Sequence, residues 1–295
     1  MREAGTPGAD QAQGLRAMTG KRPVKVIAVS GGKGGVGKTN VCANLAVAMA
    51  ALGRRVMVLD ADLGLANIDV LYGLQPRATL ADVVRGECVL EDIVLSGPLG
   101  VRVVPGASGL TEMAELNAAA LAGIVHSFSQ LHEDVDVLLI DTAPGITPDV
   151  LRFVEAAHEV LVVVRDEPTS ITDAYAVVKV LSGERDMQRF RVVTNMTQGA
   201  GDGVTLYNKL SRVTDRFLNV SLHHTGSIPF DERVGRAVQM QTPFMIAFPA
   251  SMAALSMRKL AERADAWEIP EQARGNIEFF LERLVGVNPP VMKTG

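Results

Sequence analysis

The sequence predicts an α/β fold: a single domain built on a doubly wound, mainly parallel sheet, with a tail at either end. Three observations carry that expectation. Short apolar, β-rich runs recur at 24–30, 55–60, 100–104, 135–140, 159–164 and 190–194, with helical patterns between them; such alternation places parallel strands beneath helices on both faces. Residues with chemistry to offer follow these runs, where open sheets bind their ligands. The chain has 295 residues, 47% of them apolar, enough to bury one full core.

The first run, Val24-Lys25-Val26-Ile27-Ala28-Val29-Ser30, leads into Gly-Lys-Gly-Gly-Val-Gly-Lys-Thr at 32–39. A G-x-x-x-x-G-K-[ST] loop after a strand wraps backbone N–H groups around nucleotide phosphates, which makes the fold one of the phosphate-loop NTPase type. Gly32, Gly34, Gly35, Val36 and Gly37 form that cradle, Lys38 meets the outer phosphates, Thr39 holds Mg²⁺, and Asn40 follows. Residues 39–52 are rich in Ala, Leu and Met and stop at Gly53, the pattern of a helix. The same glycines also spell G-x-G-x-x-G, with Asp60 where a dinucleotide site puts its ribose acid. That alternative leaves Lys38-Thr39 without a purpose. Lys33 is an additional lysine inside the turn. It has no vacant place on its own nucleotide, so its target is the phosphate held by a second copy, which predicts a nucleotide-sandwich dimer.

The second run ends in Asp60, with Asp62 two positions on, and Asp141 closes the run at 137–140 in Asp-Thr-Ala-Pro-Gly. An acid behind a buried strand is costly without a partner. For Asp141 the partner is Mg²⁺, through water; the competing role is a helix cap. Asp62, one pleat further out than Asp60, is placed to orient an attacking water, or else is a solvated turn acid. Gly145 lets the backbone approach the γ-phosphate. Asn195, after 191–194, and the Ile-Pro-Phe-Asp turn holding Pro229 and Asp231 suit a base pocket or ordinary turn chemistry.

Composition excludes several classes. Net charge is −4, and Arg212, Arg216, Arg233 and Arg236 are interspersed with acids, so no direct DNA binding is expected. Residues 1–20 lack an apolar signal core, and no stretch approaches the ~20 apolar residues of a membrane span; a cytosolic protein follows. Two cysteines and five histidines offer neither a disulfide framework nor iron–sulfur or transition-metal spacing.

Four segments together resemble the MinD/ParA deviant-Walker ATPases: Lys-Gly-Gly-Val-Gly-Lys-Thr, Asp-Ala-Asp-Leu-Gly-Leu-Ala-Asn at 60–67, Asp-Thr-Ala-Pro-Gly, and Glu-Pro-Thr-Ser-Ile-Thr-Asp-Ala-Tyr at 167–175. The likeness covers about residues 24–265. Within that family the chain is most similar to the flagellar-number branch, the FlhG (FleN) type, because Asp10-Gln11-Ala12-Gln13-Gly14-Leu15-Arg16 matches the branch's activator segment and the run from Asp166 is of its kind. The resemblance implies a slow ATP switch, apart with ADP and a homodimer with ATP, in which Lys33 crosses to the partner's nucleotide. It gives Asp62 the catalytic water, Thr39, Asp60 and Asp141 the Mg²⁺ ion, and Asn195, Pro229 and Asp231 the adenine. Asn40 and Arg165-Asp166 depart from the usual pattern. The implied role is control of flagellar number and placement through an FlhF-type SRP GTPase and the FleQ-type master transcription activator. The alternatives are a chromosome or plasmid partition ATPase and a cell-division positioning ATPase.

Residues 1–23, rich in Gly, Ala and polar groups, are expected to be disordered alone. By resemblance they fold on the FlhF-type GTPase and stimulate it, with Asp10 and Arg16 bounding the segment, Gln11 inserted and Leu15 as anchor. Residues 24–268 form the ATPase domain and 269–295 the C-terminal segment. There Ile277, Phe280, Leu281, Leu284 and Val285 make one helical stripe. A helix of about ten residues is not stable alone, so it binds either its own core or a membrane surface. It resembles the MinD-type membrane helix without that helix's lysines, which implies peripheral contact with the inner face of the cell membrane in the ATP state.

Overall fold

The computed structural model describes residues 24–62, 67–106, 135–185, 187–199 and 201–268. Their order is β1 Lys25–Ser30, α1 Lys38–Ala51, β2 Val56–Ala61, α2 Ile68–Leu71, α3 Leu80–Val84, α4 Leu90–Ile93, β3 Leu95–Ser96, β4 Arg102–Val104, β5 Val137–Thr142, α5 Pro148–Ala156, β6 Glu159–Arg165, α6 Pro168–Arg185, β7 Arg189–Thr197, α7 Asp202–Phe217, β8 Ser221–Pro229, α8 Glu232–Gln239, α9 Phe244–Ala247 and α10 Met252–Asp265. The strands form one sheet in the order β3-β4-β2-β5-β1-β6-β7-β8. Every described pairing is parallel except β3 with β4. No helix among the described residues is long and apolar enough to cross a membrane.

The strands are apolar on both faces because both faces are covered. In β1, Val26 and Ala28 join the core beneath α5, α6 and α7, while Ile27 and Val29 join the core shared with α1 and α10. Helix α1 is buried almost all round, from Val41 to Met49, as an unpatterned apolar helix must be. Its small side chains let the sheet, α2, α9 and α10 approach it, and its end at Gly53 (φ 84°) is as predicted. Lys25 is buried, and its ammonium donates to the Ala264 and Asp265 carbonyls at 2.9 and 2.6 Å, closing the end of α10.

All six predicted runs are strands, with shifted ends. Asp60 and Asp141 lie inside β2 and β5 rather than behind them, and are register partners across the sheet. Asn195 likewise lies inside β7, opposite Ile228. Strand β8 was not predicted. It contains His223-His224, and Pro229 ends the strand instead of opening a turn. The physical reason is its place at the sheet edge, covered only in part. A register shift after His224, which sets Val192 opposite His224 but Val193 opposite Gly226, further breaks the alternation that marks a strand. The segments 1–23 and 269–295, with Asp10, Gln11, Leu15, Arg16, Ile277, Phe280, Leu281, Leu284 and Val285, lie outside the described residues.

Candidate nucleotide site

Strand β1 is flanked by β5 on one side and β6 on the other, so the loop behind it opens at the point where strand order diverges. Gly35 and Gly37 have φ of 80° and 91°, left-handed values that favour glycine. Gly32 is glycine for lack of room: a Cβ there would stand 2.3 Å from the Asp173 backbone of α6. The loop is thus seated on α6 and on β7, where the Asn195 amide donates to the Val36 carbonyl at 2.8 Å. Gly145 (φ 98°) donates its N–H to the Gly31 carbonyl at 3.2 Å, tying the segment after β5 to the loop.

Lys38 is buried and its ammonium donates to the Lys33 carbonyl at 3.3 Å. Burial holds its pKa below the ordinary value, while Asp141 and Asp62 pull it up. Asp141 is almost completely buried, its Oδ1 has no hydrogen-bond partner, and the Thr39 side chain bonds the same carboxyl. Burial, then the charge of neighbouring Asp60, pushes its pKa up to about 8 against the pull of Thr39 and Lys38. A deeply buried carboxyl with an orphaned oxygen beside a threonine hydroxyl fits a divalent cation, the group that would complete it. Among the described residues no three His, Cys, Asp or Glu side chains gather as a metal cluster. Mg²⁺ takes one or two protein oxygens and fills its shell with phosphate and water.

Asp60, expected at Mg²⁺, also has backbone partners. Its carboxylate accepts backbone N–H groups from Asp62, Asn67 and Ile68 at 3.1, 2.8 and 3.0 Å. Burial raises its pKa to about 6, and these three bonds limit the rise. It therefore anchors the chain on both sides of 63–66 and the start of α2. The sequence shows Asp60 as a strand-end acid but not its bonds to Asn67 and Ile68. Asp62 is half-buried beside it, near enough to Lys38 to act on its charge.

A cavity of about 590 Å³ opens beside Asn40 and Asn195, walled by Pro229, Phe230, Val238 and Phe244. With its N–H₂ bound to Val36, Asn195 keeps Oδ1 to accept from a base. Pro229 supplies a wall, while Asp231 is the cap of α8 and accepts from the Arg233 N–H at 3.0 Å. Phe244 was not predicted; its α9 is held by the Met245 N–H donating to Asn44 Oδ1 at 3.1 Å, 201 positions apart in the chain.

Lys33 does not point into its own cradle. Its ammonium lies 3.3 Å from Glu167 Oε2 and 3.0 Å from Thr169 Oγ1 at the start of α6. Glu167 was read only as part of a motif, and its contact with Lys33 spans 134 positions, beyond any local signal.

Comparison with known proteins agrees with this arrangement. The family model ParA, described as NUBPL iron-transfer P-loop NTPase, matches residues 23–264. The antiactivator FleN of Pseudomonas aeruginosa is 55% identical over 271 residues, 92% of this chain and 97% of that protein. The flagellum site-determining protein YlxH of Helicobacter pylori is 31% identical over 90% of this chain and 91% of its own. The structure of the septum site-determining protein MinD of Pyrococcus horikoshii, complexed with Mg-ADP, superposes with a TM-score of 0.67 at 27% identity over 82% of this chain and 96% of that one. The chain belongs to the ParA/MinD family of P-loop NTPases.

Proposed function

We propose that this protein is an ATP-hydrolysing dimerisation switch that regulates flagellar number and placement, acting on an FlhF-type GTPase and on the FleQ-type flagellar transcription activator. The observation that carries the reading is the double-lysine loop. Lys38 is committed to the cradle, whereas Lys33 sits outside it on a half-exposed carboxylate, free to serve another molecule's nucleotide. The 55% identity to FleN across nearly the whole chain supports the flagellar assignment.

The chain's residues then divide the work. The Gly32–Gly37 backbone and Lys38 bind the phosphates, and the cavity beside Asn195 takes adenine, whose exocyclic amine suits the remaining Oδ1 acceptor. Thr39 and Asp141 would hold Mg²⁺, which when bound would supply positive charge to the phosphates. Asp62 orients the attacking water, and Asp60 holds the backbone that carries Asp62. Lys33 of each copy crosses to the other's phosphates, so that only the ATP dimer is complete. Hydrolysis separates the copies and returns Lys33 to Glu167.

Residues 10–16 deliver the output to the FlhF-type GTPase, with Gln11 inserted and Asp10, Leu15 and Arg16 docking it. The 277–285 stripe contacts the membrane surface when two copies present it together.

Two measurements test the proposal. Asp62→Ala is expected to bind ATP and dimerise yet hydrolyse it far more slowly; wild-type hydrolysis by this variant would remove the catalytic assignment. GTP hydrolysis by the FlhF-type GTPase of the same cell should rise with this protein and not with Gln11→Ala. Absence of stimulation by the intact chain would leave a ParA/MinD switch outside the flagellar system.

A further inference from the structure

Glu167 stands one position before α6 and holds two cations at once. Oε2 is 3.3 Å from the Lys33 ammonium and Oε1 is 3.4 Å from an Arg165 guanidinium nitrogen. The turn that presents it is fixed: the Glu167 N–H donates to the Arg165 carbonyl at 2.8 Å, and the Arg165 N–H donates to Oγ of buried Ser170 at 3.0 Å. The three charged side chains are by contrast 35–42% exposed, so they can change partners without disturbing the backbone. The neighbouring acid does not compete for Arg165, because Asp166 is paired with Lys209 of α7 at 2.9 Å.

We propose that Arg165 is a positioning residue for the exchange of Lys33: it takes over the Glu167 carboxylate when Lys33 leaves for the nucleotide of a second copy. The inference rests on the reading above that Lys33 crosses between copies. Without such a substitute, departure of Lys33 strands a carboxylate at a face that is being dehydrated, and an unpaired charge in a closing interface is costly. A guanidinium can instead present two N–H groups to both carboxylate oxygens. In the separated state, repulsion between Lys33 and Arg165 across one carboxylate also loosens the hold on Lys33. Arg165 therefore favours the dimer without touching the nucleotide.

The test is the dissociation constant of the dimer, measured by analytical ultracentrifugation of the full chain with Mg²⁺ and a non-hydrolysable ATP analogue. Two lysines move per dimer, each leaving a half-exposed ion pair, so Arg165→Ala is expected to weaken dimerisation roughly twofold to thirtyfold. In a Glu167→Gln background, where no carboxylate needs a partner, the same substitution should have little effect. Unchanged dimerisation of Arg165→Ala would overturn the exchange. So would an equal loss in both backgrounds, which would mean that Arg165 meets the second copy directly. A wild-type protein that stays monomeric with the analogue would instead overturn the Lys33 reading itself.

Discussion

Replacing Asn195 by Ala separates the two duties the structure gives this side chain. Its amide donates to the Val36 carbonyl at 2.8 Å, and it is only 6% exposed while Val36 is 1% exposed. Removing the donor leaves a buried carbonyl unsatisfied, at a cost of about 1–3 kcal/mol. In the variant the loop relaxes away from that state, and a ligand must restore it. Affinity for any phosphate ligand should therefore fall roughly fivefold to a hundredfold. The base-accepting Oδ1 is lost as well, worth about 0.5–1.5 kcal/mol and felt only by a ligand that has a base. Calorimetric titration with inorganic tripolyphosphate and with ATP resolves the two: both weaken, and ATP by the larger factor. Equal loss for both ligands would refute the role at the base. Unchanged affinity for both, with an unchanged melting temperature, would refute the brace on the loop.

Other outcomes follow from the same geometry. Gly32→Ala drives a Cβ to 2.3 Å from the Asp173 backbone; it should destabilise the fold by about 1–3 kcal/mol and abolish nucleotide binding, read by thermal melts with and without ADP. Asp141→Asn removes a buried carboxyl with an orphaned oxygen, so the dependence of nucleotide affinity on Mg²⁺ should disappear while the melting temperature in chelator does not fall. The Arg54 guanidinium forks onto Asp265 at 2.7 and 2.8 Å, and that bond holds the Asp265 pKa below 3.8. A depressed carboxylate contributes stability above its unfolded pKa and loses it as pH falls through the folded one. Asp265→Asn should therefore cost about 1 kcal/mol at neutral pH, since both side chains are partly exposed, with the gap to wild type closing below pH 3.8; denaturant melts across pH read this directly.

How much was legible depended on the range of the interaction. The loop at 32–39 and the helix behind it are local patterns and stand where the sequence placed them, whereas Asp60 and Asp141 fall inside their strands instead of after them. Asp60 shows the limit. The resemblance gives it to Mg²⁺, but no local pattern shows that its carboxylate also accepts the backbone N–H groups of Asp62, Asn67 and Ile68. Strand β8 was hidden because an edge strand with a register shift lacks both the continuous apolar run and the clean alternation that reveal a strand.

By itself the sequence determined the α/β class, the phosphate cradle with its two lysines, and the identity of the acids that could serve it, since each is encoded within a few adjacent residues by backbone freedom, apolar period or charge. Only the tertiary structure decided what those groups hold. Lys33 rests on Glu167 across 134 positions of chain, Asn195 braces Val36 across 159, and Phe244 closes the cavity from a helix tied to Asn44 across 201. Such partners meet because a parallel sheet gathers the ends of distant strands at one edge, and no local pattern in the chain records which of them will meet.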